Sequence, residues 1–347
     1  MRRALVAVAA FAAVTACGSG SHVVSGAPSV SSSKTSGSTT TSAAPLTKPI
    51  VTVMPYRLKV GVGRSALIDG ACLTLNIPSC NGVIIAGGLV VGDTTTDAVQ
   101  LINFDNGSVS SLPALAVPVH DTAGGLDNSQ APLVIGGGNS SEQKIVQRFG
   151  GLGWIVSGNL PTTRSDLASV STLNDGTYLF GGYDGNTPAV GTVLTSVDSE
   201  GWHTAGDLAV PVRYAASAMD PHHQQVVWLF GGEVAGRELD VVQTFDIATR
   251  TSKVVAHLPV PLGHMSAVAV GDRYLVMGGR TDASSGAMSD QMWWFDPTSR
   301  RFTDAGRLPY PVADAMIAAS RPAGSVYLIG GESPHPISTI LKIQVMQ

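Results

Sequence analysis

Six times along the chain a short apolar run ends in a pair of glycines: Ile84-Ile85-Ala86-Gly87-Gly88, Leu133-Val134-Ile135-Gly136-Gly137, Tyr178-Leu179-Phe180-Gly181-Gly182, Trp228-Leu229-Phe230-Gly231-Gly232, Leu275-Val276-Met277-Gly278-Gly279 and Tyr327-Leu328-Ile329-Gly330-Gly331. The first glycines stand 49, 45, 50, 47 and 52 residues apart. Runs this short and this apolar, bounded by turn residues, fit buried β-strands. Each is preceded by another small apolar run, as Ser217-Ala218-Met219 precedes its copy across the turn Asp220–Gln225. A polar loop follows, then a third strand ending in an apolar residue and aspartate: Phe104-Asp105, Val197-Asp198, Phe245-Asp246 and Phe295-Asp296. A large residue opens the fourth strand in three copies (Trp154, Trp202, Phe302). That strand runs into a second signature: Leu115…Pro118…His120, Leu160-Pro161…Arg164, Leu208…Pro211…Arg213, Leu258-Pro259…Pro261…His264 and Leu308-Pro309…Pro311.

Four strands in a unit of about 50 residues is the period of a propeller blade. The expected fold is therefore all-β, a six-bladed β-propeller. The pattern also predicts how the ring closes. Only sixteen residues follow Gly331, enough for one strand (337–345) and not two. The missing strand stands at the other end, as Ile50-Val51-Thr52-Val53-Met54-Pro55. The last blade should thus pair the N- and C-terminal strands, which removes the open edges of an unclosed ring.

At the level of these motifs the chain resembles the kelch-repeat family: apolar–apolar–Gly-Gly, aromatic-Asp, a Trp or Phe, and a Leu-Pro segment often ending in Arg. The resemblance covers residues 49–347, although single blades depart from it. The aromatic position falls near Val109 in the first blade and is empty around Ser252. The family implies that the loops after Gly-Gly, and those entering each new blade, share one face around the central channel. Mapped here, that face gathers Asn139, Tyr183, Asp184, Glu233, Arg280 and Glu332 from the first set. The second set supplies Arg57, His120 with Asp121, Arg164 with Asp166, Arg213 with Tyr214, His264 and Asp314. From these, Arg57, His120, Arg164, Asp184, Arg213, Tyr214, His264 and Arg280 form the expected ligand-binding set. Arginine forks suit carboxylates or phosphates, and tyrosines and acids suit sugar hydroxyls. The competing reading is that the arginines pair with acids of neighbouring blades and knit the ring.

The N-terminal 48 residues are of another kind. Arg2-Arg3 and the apolar run Ala4–Val14 are too short to span a bilayer and suit an export signal. Val14-Thr15-Ala16-Cys17-Gly18 resembles a bacterial lipobox, which implies cleavage before Cys17 and a diacylglycerol on its sulfur. Residues 18–48 are mostly Ser, Thr, Gly, Ala and Pro with Lys34 and Lys48 as the sole charges, a composition that cannot bury enough apolar surface to fold. The expected organisation is a signal peptide (1–16), a lipidated tether (17–48) and a propeller (49–347), held on the outer face of the cell membrane. In an exported chain Cys72 and Cys80 are placed to oxidise to a disulfide, two buried thiols being the alternative.

Charge narrows the partners further. The formal charge of −4 becomes −6 once Arg2 and Arg3 are removed, and no basic run or stripe occurs, which argues against nucleic acid. Galactose-oxidase-like enzymes share the repeat but need a copper centre with a Cys–Tyr crosslink, and the cysteines and eight histidines here offer no such set. No HExxH, paired CxxC, GxxxxGK[ST] or GxSxG is present, so no metal or cofactor is expected. His222-His223 falls in a hairpin turn away from the mouth. Trp293 and Trp294 alternate on a strand, so one should face a neighbouring blade and the other solvent or a partner. The expected function is non-catalytic binding of a protein, glycan or cell-wall component by a monomeric chain. Two alternatives remain. One is a sugar-modifying enzyme like the sialic-acid mutarotases among exported six-bladed kelch propellers, with Glu233 or Glu332 moving the proton. The other is a structural role in the envelope.

Overall fold

The computed structural model describes residues 47–347 apart from 71–80, 173–175, 197–200, 322–323 and 346–347. The signal segment, Cys17, the tether up to residue 46 and the Cys72–Cys80 pair lie outside the described residues. Each apolar run before a Gly-Gly forms the second strand of a four-stranded antiparallel sheet, and six such sheets make six blades. Blade 1 comprises Ala66–Asp69, Gly82–Ala86, Val99–Asn103 and Ser108–Leu112, and blade 2 comprises Ala123–Leu126, Pro132–Ile135, Ile145–Phe149 and Trp154–Asn159. Blade 3 comprises Ala168–Thr172, Gly176–Phe180, Thr192–Thr195 and His203–Asp207. Blade 4 comprises Ala216–Met219, Val226–Phe230, Val241–Asp246 and Thr251–His257. Blade 5 comprises Ser266–Val270, Arg273–Met277, Gln291–Asp296 and Arg301–Arg307.

Blade 6 closes the ring as the termini suggested. Its strands Met316–Ala319, Ser325–Ile329 and Ile340–Gln344 come from the C-terminus, and its outer strand Ile50–Val53 comes from the N-terminus, pairing Ile50 with Gln344 and Val53 with Leu341. Around the axis the innermost strands touch in sequence, Ala66–Asp69 meeting both Ala123–Leu126 and Met316–Ala319. Small residues permit that approach: Ser169 Oγ donates to the Gly124 carbonyl at 2.9 Å and Ser217 Oγ to the Ser169 carbonyl at 3.0 Å.

Among the described residues the apolar core is divided among the six blade–blade seams. One slab packs Trp228 and Phe230 of blade 4 on Tyr274, Trp293 and Phe295 of blade 5, and another packs Leu275 and Trp294 of blade 5 on Leu328 and Ile343 of blade 6. This corrects the expectation for the tandem tryptophans. Both Trp293 and Trp294 are buried, because a blade between two neighbours has no solvent face. It also explains why the second strands read as continuous apolar runs. Gly176–Phe180 is buried at every position, whereas the rim strand Ser108–Leu112 is mostly exposed.

Closure by a terminal strand makes a prediction. Deleting residues 49–56 removes the pairing to Ile340–Gln344 and the half-buried Met54 and Tyr56 from the seam of blades 6 and 1. At about 1 kcal/mol per lost backbone hydrogen bond, the thermal midpoint should fall by roughly 5 °C or more. An unchanged midpoint would contradict a closing role.

Candidate functional site

Where each blade hands over to the next, the chain dips toward the axis at one residue. The six are Arg64, Asp121, Asp166, Tyr214, His264 and Asp314, and all have left-handed backbone, with φ between 50° and 58°. Such conformations cost on the order of 1–3 kcal/mol at non-glycine residues and persist only where the surroundings impose them. Here a closed cycle of backbone hydrogen bonds does so. Asp121 N donates to Arg64 O at 2.8 Å, Asp166 N to Asp121 O at 2.9 Å and Tyr214 N to Asp166 O at 3.0 Å. His264 N donates to Tyr214 O at 2.9 Å, Asp314 N to His264 O at 2.9 Å and Arg64 N to Asp314 O at 3.2 Å. The residue just before each ring residue bridges the segment after Gly-Gly, as Arg213 does with Glu233 and Ala313 with Glu332.

The side chains of this ring and of the bridged residues form one line of alternating charge. Asp166 accepts from Arg213 at 3.4 Å, and Arg213 donates to Glu233 at 2.5 Å. Glu233 meets His264 Nε2 at 3.4 Å, and His264 Nδ1 meets Asp314 at 2.7 Å. Arg280 joins Asp314 at 3.0 Å to Glu332 at 2.6 Å. Arg64 completes the line, bound to Glu332 at 2.8 Å and to Asp121 at 3.4 Å. Tyr214 stacks on His264 with ring centroids 3.7 Å apart, and the Arg213 guanidinium lies 5.4 Å from the Tyr183 and Tyr214 ring centres. A cavity of about 240 Å³ opens against the ring, floored by small residues such as Gly124, Ser169 and Ser217.

Burial and pairing divide the titrating groups into two kinds. Burial would lower the His264 imidazole, but the charges and hydrogen bonds of Asp314 and Glu233 outweigh it and raise the group to about 9. The His264 hydrogen bond and Arg213 hold Glu233 down at about 2 against its burial. Asp314 is buried too, yet His264, Arg64 and Arg280 keep it well below the usual carboxylate range. At the two ends of the line burial wins. Asp121 rises to about 6 despite Arg64, helped by the Asp314 charge, and Asp166 rises to about 7 through burial and the Asp121 charge, against Arg213.

Of the residues expected to bind ligand, Arg213, Tyr214, His264 and Arg280 belong to this network, together with Glu233 and Glu332. The other four lie outside it. The buried Arg164 guanidinium donates to the Gly181 carbonyl at 2.9 Å and latches blade 2 to blade 3. Asp184 caps its own turn, accepting from the amides of Asn186 at 2.8 Å and Thr187 at 2.6 Å. Arg57 is exposed and donates to Thr339 Oγ1 at 2.7 Å. His120 flanks the ring, with Nδ1 2.7 Å from Thr95 Oγ1 and Nε2 3.7 Å from Asp121. Arg64 was not among the expected residues. Its signal was present: it stands two residues after Val62, as Asp121 does after Val119, Tyr214 after Val212 and Asp314 after Val312.

Above the mouth, three short hairpins follow the glycine pairs: Leu89–Val90 with Thr94–Thr95, Glu233–Val234 with Arg237–Glu238, and Arg280–Asp282 with Ala287–Met288. Their tips carry Val91, 68% exposed, and the exposed Arg237.

No protein-family model matches the chain, and no curated protein matches it in sequence. Among solved structures 626 chains match, which marks a common scaffold and not an activity. One, described as the structure of YjhT, superposes with a TM-score of 0.68 at 16% identity, covering 84% of this chain and 99% of that one. The likeness is one of fold: the chain is a six-bladed β-propeller.

Proposed function

We propose that this chain is a non-catalytic binding module, a propeller anchored by an N-terminal lipid on the outer face of the membrane and engaging a protein or glycan through the hairpins around its mouth. The observation that carries this reading is the pairing within the ring. Arg213, Arg280 and Arg64 each contact two or more carboxylates, so their charges are occupied in joining blades. Glu233, held ionised by His264 and Arg213, makes a poor proton carrier near neutral pH. The hairpin crown, by contrast, presents exposed apolar and charged tips of the sort that recognition uses.

A second reading, acid–base chemistry on a sugar, is favoured by Asp121 and Asp166, whose raised proton affinities stand beside a polar cavity. It moves the proton-carrying role away from Glu233 and Glu332.

Thermal unfolding of the full chain across sugars, sialic acids and cell-wall fragments separates the two. A ligand at 100 times its Kd adds about 2.7 kcal/mol, a rise of roughly 5–10 °C for a domain of this size. A rise abolished by Val91→Asp or Arg237→Ala supports the crown. A rise untouched by those changes, with anomer exchange seen by NMR and lost in Asp166→Asn, would replace the binding reading with the enzymatic one.

A further inference from the structure

The line of alternating charge does not close. It runs Asp166, Arg213, Glu233, His264, Asp314, Arg280, Glu332, Arg64, Asp121, with five acids set against four cations. Its two ends are neighbours in the backbone ring, Asp166 N donating to Asp121 O at 2.9 Å. Among the described residues, every other junction of the ring is joined by a cation or an aromatic stack. Arg64 faces Asp121, Arg213 reaches Asp166 beside Tyr214, Tyr214 stacks on His264, His264 binds Asp314, and Arg64 stands 3.7 Å from Asp314. At the blade 2–blade 3 junction the two carboxyl side chains, only 7% and 5% exposed, stand on residues joined by that backbone hydrogen bond, and neither Arg64 nor Arg213 is paired with both.

We infer that the Asp121–Asp166 junction is a proton-binding site, so that the ring is latched between blades 2 and 3 when the proton is held and carries one negative charge in excess of its cations when it is lost. The groups facing Asp121 are Arg64, His120, Asp166, His264, Asp314 and Tyr214; those facing Asp166 are Asp121, Arg213 and Tyr214. Arg64 and the His264 charge favour ionisation of Asp121, and Arg213 and a Tyr214 hydrogen bond favour that of Asp166, but the two arginines are shared with second acids, Glu332 and Glu233 respectively. Burial and mutual repulsion therefore prevail, in line with the elevation of both carboxyls.

The sign of the consequence follows from linkage. Each carboxyl holds its proton more tightly when folded than its ordinary 3.8. The native state thus carries more protons than the unfolded chain from about pH 4 to about pH 7, and stability falls as pH rises through that window. The inference holds under either functional reading, and its test involves no ligand.

The experiment is denaturant unfolding of the full chain, with proton release measured by calorimetry in buffers of different ionisation enthalpy. At about pH 5.5, wild type should release at least one more proton on unfolding than Asp121→Asn/Asp166→Asn. Asparagine resembles the protonated carboxyl, so Asp166→Asn alone should raise the midpoint above pH 7 and flatten its fall. Equal proton release in wild type and the double variant would overturn the inference. So would a lower midpoint for Asp166→Asn at every pH, the mark of a purely structural carboxylate. A midpoint above pH 7 that rises with sodium, potassium or ammonium at constant ionic strength would overturn it as well, by making the junction a cation site.

Discussion

Gly181→Val is expected to leave no folded protein. Gly181 is the first glycine of its pair, with φ at +63°, and a Cβ there would drive into the backbone carbonyl oxygen of Val212. That carbonyl cannot retreat, because it accepts the Gly182 amide at 2.8 Å and so docks blade 3 against the loop entering blade 4. The same contact recurs at each seam, Gly137 donating to Arg164 O and Gly279 to Val312 O, both at 2.8 Å. Backbone meets backbone, and no side-chain rearrangement relieves the clash. Since each blade is held by its neighbours, one broken seam opens the ring. The control is Gly151→Ala, where φ is +86° but the space around the missing Cβ is open. It should cost only the left-handed backbone penalty of about 1–2 kcal/mol. Soluble yield and near-ultraviolet dichroism distinguish the two, and a folded Gly181→Val chain with a wild-type midpoint would refute the docking role.

The second large effect is expected at His264. Its imidazole is 3% exposed and joins Glu233 to Asp314. His264→Ala leaves two buried carboxylates to share Arg213, Arg280 and Arg64, and removing one partner of a buried pair typically costs about 3–5 kcal/mol. The loss should depend on pH. His264 is raised to about 9 in the folded chain from an ordinary 6.5. Its contribution is therefore complete below about pH 6.5 and is lost as pH rises through about 9. Wild type should weaken across that window in urea unfolding, and His264→Ala should not. Parallel pH profiles in that window would show that the imidazolium does not bind the ring. The window lies above that of the Asp121–Asp166 pair, so the two slopes are separable.

Much of this architecture was legible in the order of residues. The glycine pairs could be read because a blade seam demands backbone contact at the same place in each repeat, which writes a periodic mark into the chain. The closing strand was legible from counting, since a four-strand unit left incomplete at one terminus must be completed from the other. The loops around the mouth came instead from the resemblance to kelch repeats, which implies that they share one face. What each side chain does there was not legible. Arg164 and Arg213 both end a Leu-Pro segment. One bonds backbone carbonyls within a seam and the other enters the charged ring, a difference set by one step along the chain between neighbouring ring residues. The tandem tryptophans misled for a related cause. Alternation separates two faces of a strand, but whether either face meets water depends on what stands beside the blade.

The sequence by itself determined the class of fold, the number of blades and the way the ring is sealed, because all of these repeat at a fixed spacing or follow from counting strands. Only the tertiary structure decided which charges pair, since Arg64 and Glu332 are 268 residues apart in the chain yet 2.8 Å apart across the last seam. It also placed the two ends of the charged line, Asp121 and Asp166, at the junction of blades 2 and 3. Electrostatic pairing is a property of distance and burial, and closing the ring sets both at once.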